Sequence, residues 1–275
     1  MFRSLLLSIL LFCSMGFSSL LTPEGELSPP LIAIFETLEI SPDAPLETLT
    51  AQLKEKCHQK GDRWNFTNRF EEERDTLLPL LEELGCFQTV HAKNTQYNYA
   101  VILGALRPSV QKRIDFLVEE WQRGVRFDEV IFLTGTRELR PSEECPDLHS
   151  ETEMMVRIWD QTTMPETLRN LPLTVVHSGP AHGRDRATTE STVIAWIELT
   201  PFPGSCLVFS SQPYVGYQDA ILRARMPASF TIETIGVEGG RTLPSSILMD
   251  NLAKWLQWSL QSQAIQTKDE KFYSS

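Results

Sequence analysis

The sequence predicts an α/β fold: a doubly wound, mainly parallel five-stranded sheet with an N-terminal helical extension. Three observations predict it. Short apolar runs recur at 99–103, 127–133, 171–176, 206–209 and 230–235. Stretches with apolar residues at helical spacing separate them. The runs are apolar almost throughout, which suits parallel strands covered on both faces and joined by crossover helices.

The elements follow in order. Residues 1–19 carry Arg3, an apolar stretch from Leu5 to Phe12, and small residues at Ser14, Gly16, Ser18 and Ser19. That order predicts an export signal, with a retained anchor as the alternative, the stretch being short for a bilayer span. Residues 20–45 are proline-rich and read as a linker or irregular wrap around a short apolar helix from Leu31 to Leu38. Residues 46–96 form a helical region: Leu46, Leu49 and Leu53 recur at helical spacing, as do Phe66, Phe70, Leu77, Leu78 and Leu81. Gly85 reads as the glycine that ends that helix. Residues 97–264 hold the strand–helix alternation, a Rossmann-like domain, and 265–275 form a polar tail.

Composition narrows the function. With 275 residues, 41% of them hydrophobic, the chain can bury one sizeable core. A net charge of −11 without a Lys/Arg cluster argues against a nucleic-acid partner. Cys57, Cys86, Cys145 and Cys206 lie beyond the signal with no CxxC spacing, so a zinc ribbon has no support; Cys57 with Cys86 is the favoured pair if an exported chain oxidises them. The chain has no GxGxxG after its first strand, no Walker loop, no GxSxG and no HExxH.

The strand ends carry what chemistry there is. Gly104 closes the first strand and Gly135 the second. The third runs into a loop with His177, His182, Arg184, Asp185, Arg186, Thr188 and Glu190, and the fourth ends at Ser210. In open α/β sheets ligands bind at such carboxyl ends, where helix N-termini also point. The glycines also suit plain turns, and Thr188 with Glu190 also suits a helix cap with an acidic first turn. Arg184 and Arg186 suit an anionic group or local ion pairs. His149, Glu151 and Glu153 have poor spacing for a metal site and read as solvated surface; Glu153 alone could project toward the strand edge.

The same pieces resemble the YdcF/SanA/ElyC-like family. Val101-Ile102-Leu103-Gly104 stands for its first strand and glycine, Arg113 for the arginine of its first helix, and Phe132-Leu133-Thr134-Gly135 for its second strand end. Glu153 stands for a helix glutamate, and Thr188 with Glu190 for the N-T-x-E-N segment, whose asparagines are here Ala187 and Ser191. Leu207-Val208-Phe209-Ser210 matches the fourth strand, but the following Y-H-x-x-R-A segment is replaced by Gln212 to Tyr217, without its His and Arg. The resemblance spans roughly residues 97–260 and leaves the N-terminal helical region outside it.

It implies a Rossmann-like, envelope-associated protein, exported to the periplasm or anchored in the inner membrane facing it. A small anionic or nucleotide-like ligand follows, with S-adenosylmethionine or a lipid-linked sugar as examples, and a transferase or hydrolase role in envelope biogenesis. Glu190 and Glu153 are then the acid–base candidates. Gly104, Arg113, Gly135, Arg184, Arg186, Thr188 and Ser210 are the ligand-binding candidates. The alternatives are a non-catalytic module that binds envelope proteins and, more remotely, a metal-dependent hydrolase using His177 and His182.

Overall fold

A computed structural model describes residues 20–22, 24–58, 69–180 and 186–273, with side chains as far as residue 263. Three helices come first: α1 (Pro29–Thr37), α2 (Leu46–Cys57) and α3 (Arg74–Glu83). The alternating part then runs β1 (Gln96–Leu103), α4 (Arg107–Gln122), β2 (Arg126–Gly135), α5 (Glu151–Gln161), α6 (Glu166–Arg169), β3 (Leu173–Ser178), α7 (Thr189–Glu198), β4 (Ser205–Ser211), α8 (Val215–Arg225), β5 (Thr231–Val237) and α9 (Ser245–Tyr273). The five strands form one sheet in the order β3-β2-β1-β4-β5, with every neighbouring pair parallel.

Period-two geometry explains why the strands look uniformly apolar in sequence. Ala100 and Ile102 of β1 face one side, packing with Val130, Phe132, Leu207 and Phe209 beneath α4 and α5. Tyr99, Val101 and Leu103 face the other, with Ile131, Val208 and Trp196 of α7. Both faces are covered, so neither leaves room for polar alternation. The fold is therefore doubly wound, and its parallel sheet has five strands.

A third core joins the N-terminal helices to the end of the chain. Leu31, Ile34 and Phe35 of α1, Leu49 and Leu53 of α2, and Leu77 and Leu81 of α3 pack with Leu248, Met249, Leu252 and Leu256 of α9. Leu20 and Leu21 are buried there too. The proline-rich stretch, read as a linker or an irregular wrap around a short apolar helix, holds that helix as α1 and contributes core residues. Proline punctuates it without releasing it from the body, because its apolar residues fall where α9 leaves a face to cover. The α9 backbone stays helical to Tyr273, through most of the segment read as a tail.

Gly85 ends α3 with φ +77, and the amides of Gly85 and Cys86 return to Glu82 O and Leu81 O, the closing pattern that favours glycine. Beyond it, Val90 bridges Gly236 at the free edge of β5. The four described cysteines are free thiols. Burial pushes the Cys57, Cys86 and Cys206 thiols up to about 12, so they behave as core residues. No helix among the described residues is long and apolar enough to cross a membrane. The apolar segment at 5–12 lies outside the described residues.

Candidate functional site

The strand order reverses between β1 and β4, the topological switch point of the sheet. Register fixes what meets there. Leu103 lies opposite Leu133, Ile102 opposite Phe209, and Gly135 opposite Ser178. The Gly104 amide donates to Leu133 O at 2.9 Å, and the Thr136 amide donates to Ser178 O at 3.0 Å. Gly104, Gly135, Ser178 and the Ser210–Ser211 pair therefore share the carboxyl rim.

Arg113 reaches this rim from α4. Its side chain is only 2% exposed. Nη1 donates to Leu103 O (2.6 Å) and Gly104 O (3.1 Å), and Nη2 donates to Ser211 Oγ (3.2 Å). The guanidinium thus bridges the tips of the two strands that flank the switch point, a task that suits its rigid, forked set of donors.

Beside the switch point, over the tips of β1 and β2, sits Glu151, the first residue of α5. A methyl group built on Gly104 would stand 1.9 Å from Glu151 Oε1, and one on Gly135 would stand 3.7 Å from Oε2. Both strand tips end in glycine, which gives this carboxylate room. Oε2 accepts from Arg137 Nε at 2.6 Å. Burial pushes the Glu151 carboxyl up, against the pull of Arg137 and the more distant Arg113.

Arg137 is itself tied on every side. It donates to Glu143 through both Nη atoms (2.7 and 2.8 Å), to Ala105 O (2.8 Å) and to Glu138 O (3.3 Å). Glu143 also accepts the Arg107 amide (2.9 Å) and the Arg140 amide (3.0 Å). Burial opposes ionisation of Glu143, but the bonds from Arg137 and the two amides outweigh it and hold the carboxyl below its ordinary range. The loop after β2 is thereby fastened to the start of α4, with Glu151 held at its inner side.

A second polar chain runs alongside. Thr134 Oγ1 lies 3.0 Å from Val176 O and 2.7 Å from Thr152 Oγ1, which lies 2.8 Å from His177 Nδ1. On the opposite face, Ser210 Oγ donates to Gln218, whose Nε2 donates to Thr189 Oγ1 at 3.4 Å.

The structure separates the sequence-derived site residues. Gly104, Arg113, Gly135 and Ser210 lie together at the rim. Thr188 caps α7: its hydroxyl accepts the Ser191 amide (3.1 Å), and Ser191 Oγ accepts the Thr188 amide (2.9 Å). Glu190 pairs with Arg225 of α8, whose guanidinium also stacks over Trp258 at 5.0 Å. Glu153 is exposed and accepts the His149 amide at 2.8 Å in the Ser150 cap of α5. The two carboxylates expected to do acid–base work are thus engaged in an ion pair and a helix cap. Arg186 is half-buried just before Thr188. Arg184, His182 and Asp185 lie outside the described residues.

Glu151, read from the sequence as solvated surface, is buried here; Arg137 was placed at the second strand end without a role, and Glu143 was not singled out. One signal pointed to Glu151: it precedes Met154, Met155 and Ile158 by three, four and seven residues, placing it on the buried face of α5, whereas Glu153 falls outside that stripe. A small cavity of about 210 Å³ opens nearby between α4 and α5, lined by Arg107, Gln111, Cys145, Met154 and Arg157 among others. It lies beside the strand tips and does not include them. Among the described residues, no three His, Cys, Asp or Glu side chains converge as a metal site would require. Compared with known proteins, the chain matches no family model, no curated protein and no solved structure.

Proposed function

We propose that the carboxyl rim at the β1/β4 switch point binds a small anionic or nucleotide-like molecule and that Glu151 is its acid–base group. One observation carries the reading: a buried carboxylate seated over two glycine-ended strand tips, with one oxygen held by Arg137. A carboxyl pushed upward by burial holds a proton more readily than an exposed one, which suits a proton donor. Helix N-termini of α4, α5 and α7 follow β1, β2 and β3 onto the same rim, where their dipoles favour negative groups. Transfer to, or hydrolysis of, such a ligand is the reaction class we infer. The setting is an exported or membrane-anchored protein of a bacterial envelope, supported by the pattern of residues 1–19 and the partial YdcF-like resemblance.

The non-catalytic alternative draws on one observation. Gln212, at the start of the segment where the family's His and Arg are missing, donates through Nε2 to Gly85 O (2.8 Å) and Gln88 O (2.9 Å). A segment expected to face ligand is here fastened to the N-terminal region. Thermal melting against adenine nucleotides, S-adenosylmethionine and polyprenyl phosphate separates the two readings. A saturable rise in Tm that is lost in Glu151→Gln supports the site. No rise with any of them supports the interaction module.

A further inference from the structure

Three contacts around His177 fix more than its position. Val176 O can only accept, so the 3.0 Å contact uses the single hydroxyl proton of Thr134. The 2.7 Å contact between Thr134 and Thr152 must then be donated by Thr152. With that proton spent, the 2.8 Å contact between Thr152 Oγ1 and His177 Nδ1 is a bond only if Nδ1 carries hydrogen. All three bonds exist together only with hydrogen on Nδ1, and in the neutral ring that leaves Nε2 bare. The ring is exposed at the carboxyl end of β3. Its Nδ1 edge faces Thr152, so Nε2 is the edge turned away from that contact.

We propose that His177 is a second acid–base group of the strand rim, with Thr152 and Thr134 as the positioning residues that hold its Nε2 lone pair ready for a ligand hydroxyl or a water. This rests on the reading of the rim as a ligand site. Thr152 directly follows Glu151, and His177 lies opposite Thr134, next to Gly135. The two groups therefore belong to one stretch of the rim, and one can accept a proton while the other donates.

Long-range ¹H–¹⁵N NMR of the full chain, about two pH units above the ordinary imidazole value, tests the tautomer. The expected spectrum shows hydrogen on His177 Nδ1. Thr152→Val, with folding checked by circular dichroism, should mix the tautomers, and Thr152→Ser should restore the wild-type pattern. Diethyl pyrocarbonate reads the lone pair: Nε2 bonds to the carbonyl carbon, ethyl carbonate leaves and breaks down to ethanol and carbon dioxide, and the Nδ1 proton goes to solvent. Modification of His177 should slow several-fold in Thr152→Val and again when a ligand that raises Tm is bound. Hydrogen on Nε2 in the wild type, a tautomer unchanged in Thr152→Val, or a bound ligand that leaves the modification rate unaltered overturns the assignment. Should no tested compound raise Tm, the reading of the rim has failed, whereas a wrong tautomer defeats the His177 assignment alone.

Discussion

Glu151 and Gly104 occupy space that only one of them can fill. In Gly104→Ala the new methyl would stand 1.9 Å from Oε1 and 3.0 Å from Leu133 O, so carboxylate and backbone must both shift. The expected cost is about 1–3 kcal/mol, measured by urea unfolding. Adding Glu151→Ala should recover part of it, because the two side chains compete for one volume. The two acids that share Arg137 respond oppositely to pH. Burial raises Glu151 when folded, so this group favours the fold at low pH, and its support fades as pH climbs past the ordinary 4.5 toward its raised value. Glu143 is depressed when folded, so its support is complete above that ordinary value and fades as pH falls below it. Unfolding midpoints across pH should show wild type losing ground to Glu151→Gln as pH rises, and losing ground to Glu143→Gln as pH falls. At this scale the sequence was half legible. Gly104 and Gly135 stood out because strand ends are marked by type and place, and Arg113 stood out only through the family resemblance. Glu151 did not, because its neighbour Glu153 is chemically identical and only helical phase separates them.

Helix α4 does for the strand tips what a clasp does for two straps. Arg113 satisfies the carbonyls of Leu103, the last residue of β1, and of Gly104 just after it, and a hydroxyl of β4. Arg113→Met should cost about 1–3 kcal/mol for each buried acceptor left bare, and Arg113→Lys should recover little, since an ammonium lacks the forked set of donors. Urea unfolding of both variants checks this, and equal stability of lysine and arginine would refute it. Thr188→Ala should cost about 1 kcal/mol by removing the α7 cap, read in the same assay. The elements themselves were legible, since both faces of the sheet are covered and each strand shows as a run. Gly135 at the close of β2 and Arg107 at the start of α4 were legible too, whereas β1 begins at Gln96, ahead of its apolar run, because backbone pairing extends past the apolar centre.

Across the whole molecule, the N-terminal helices and α9 form one core. Leu53 is fully buried within it, between the two ends of the chain. Leu53→Ala should cost about 2–5 kcal/mol and lower the melting of the entire protein in one transition; a separate early transition confined to the N-terminal helices would contradict a shared core. This packing was not legible in the sequence. The residues that meet are some 200 positions apart, and five prolines within 23–45 imitate a spacer. Their apolar neighbours reveal a partner only once α9 is in place. The Gln212 bonds to Gly85 O and Gln88 O then acquire a mechanical meaning. Through these two bonds the carbonyls that follow α3 are held against the turn after β4, so any displacement of the first ninety residues is passed to that end of the sheet.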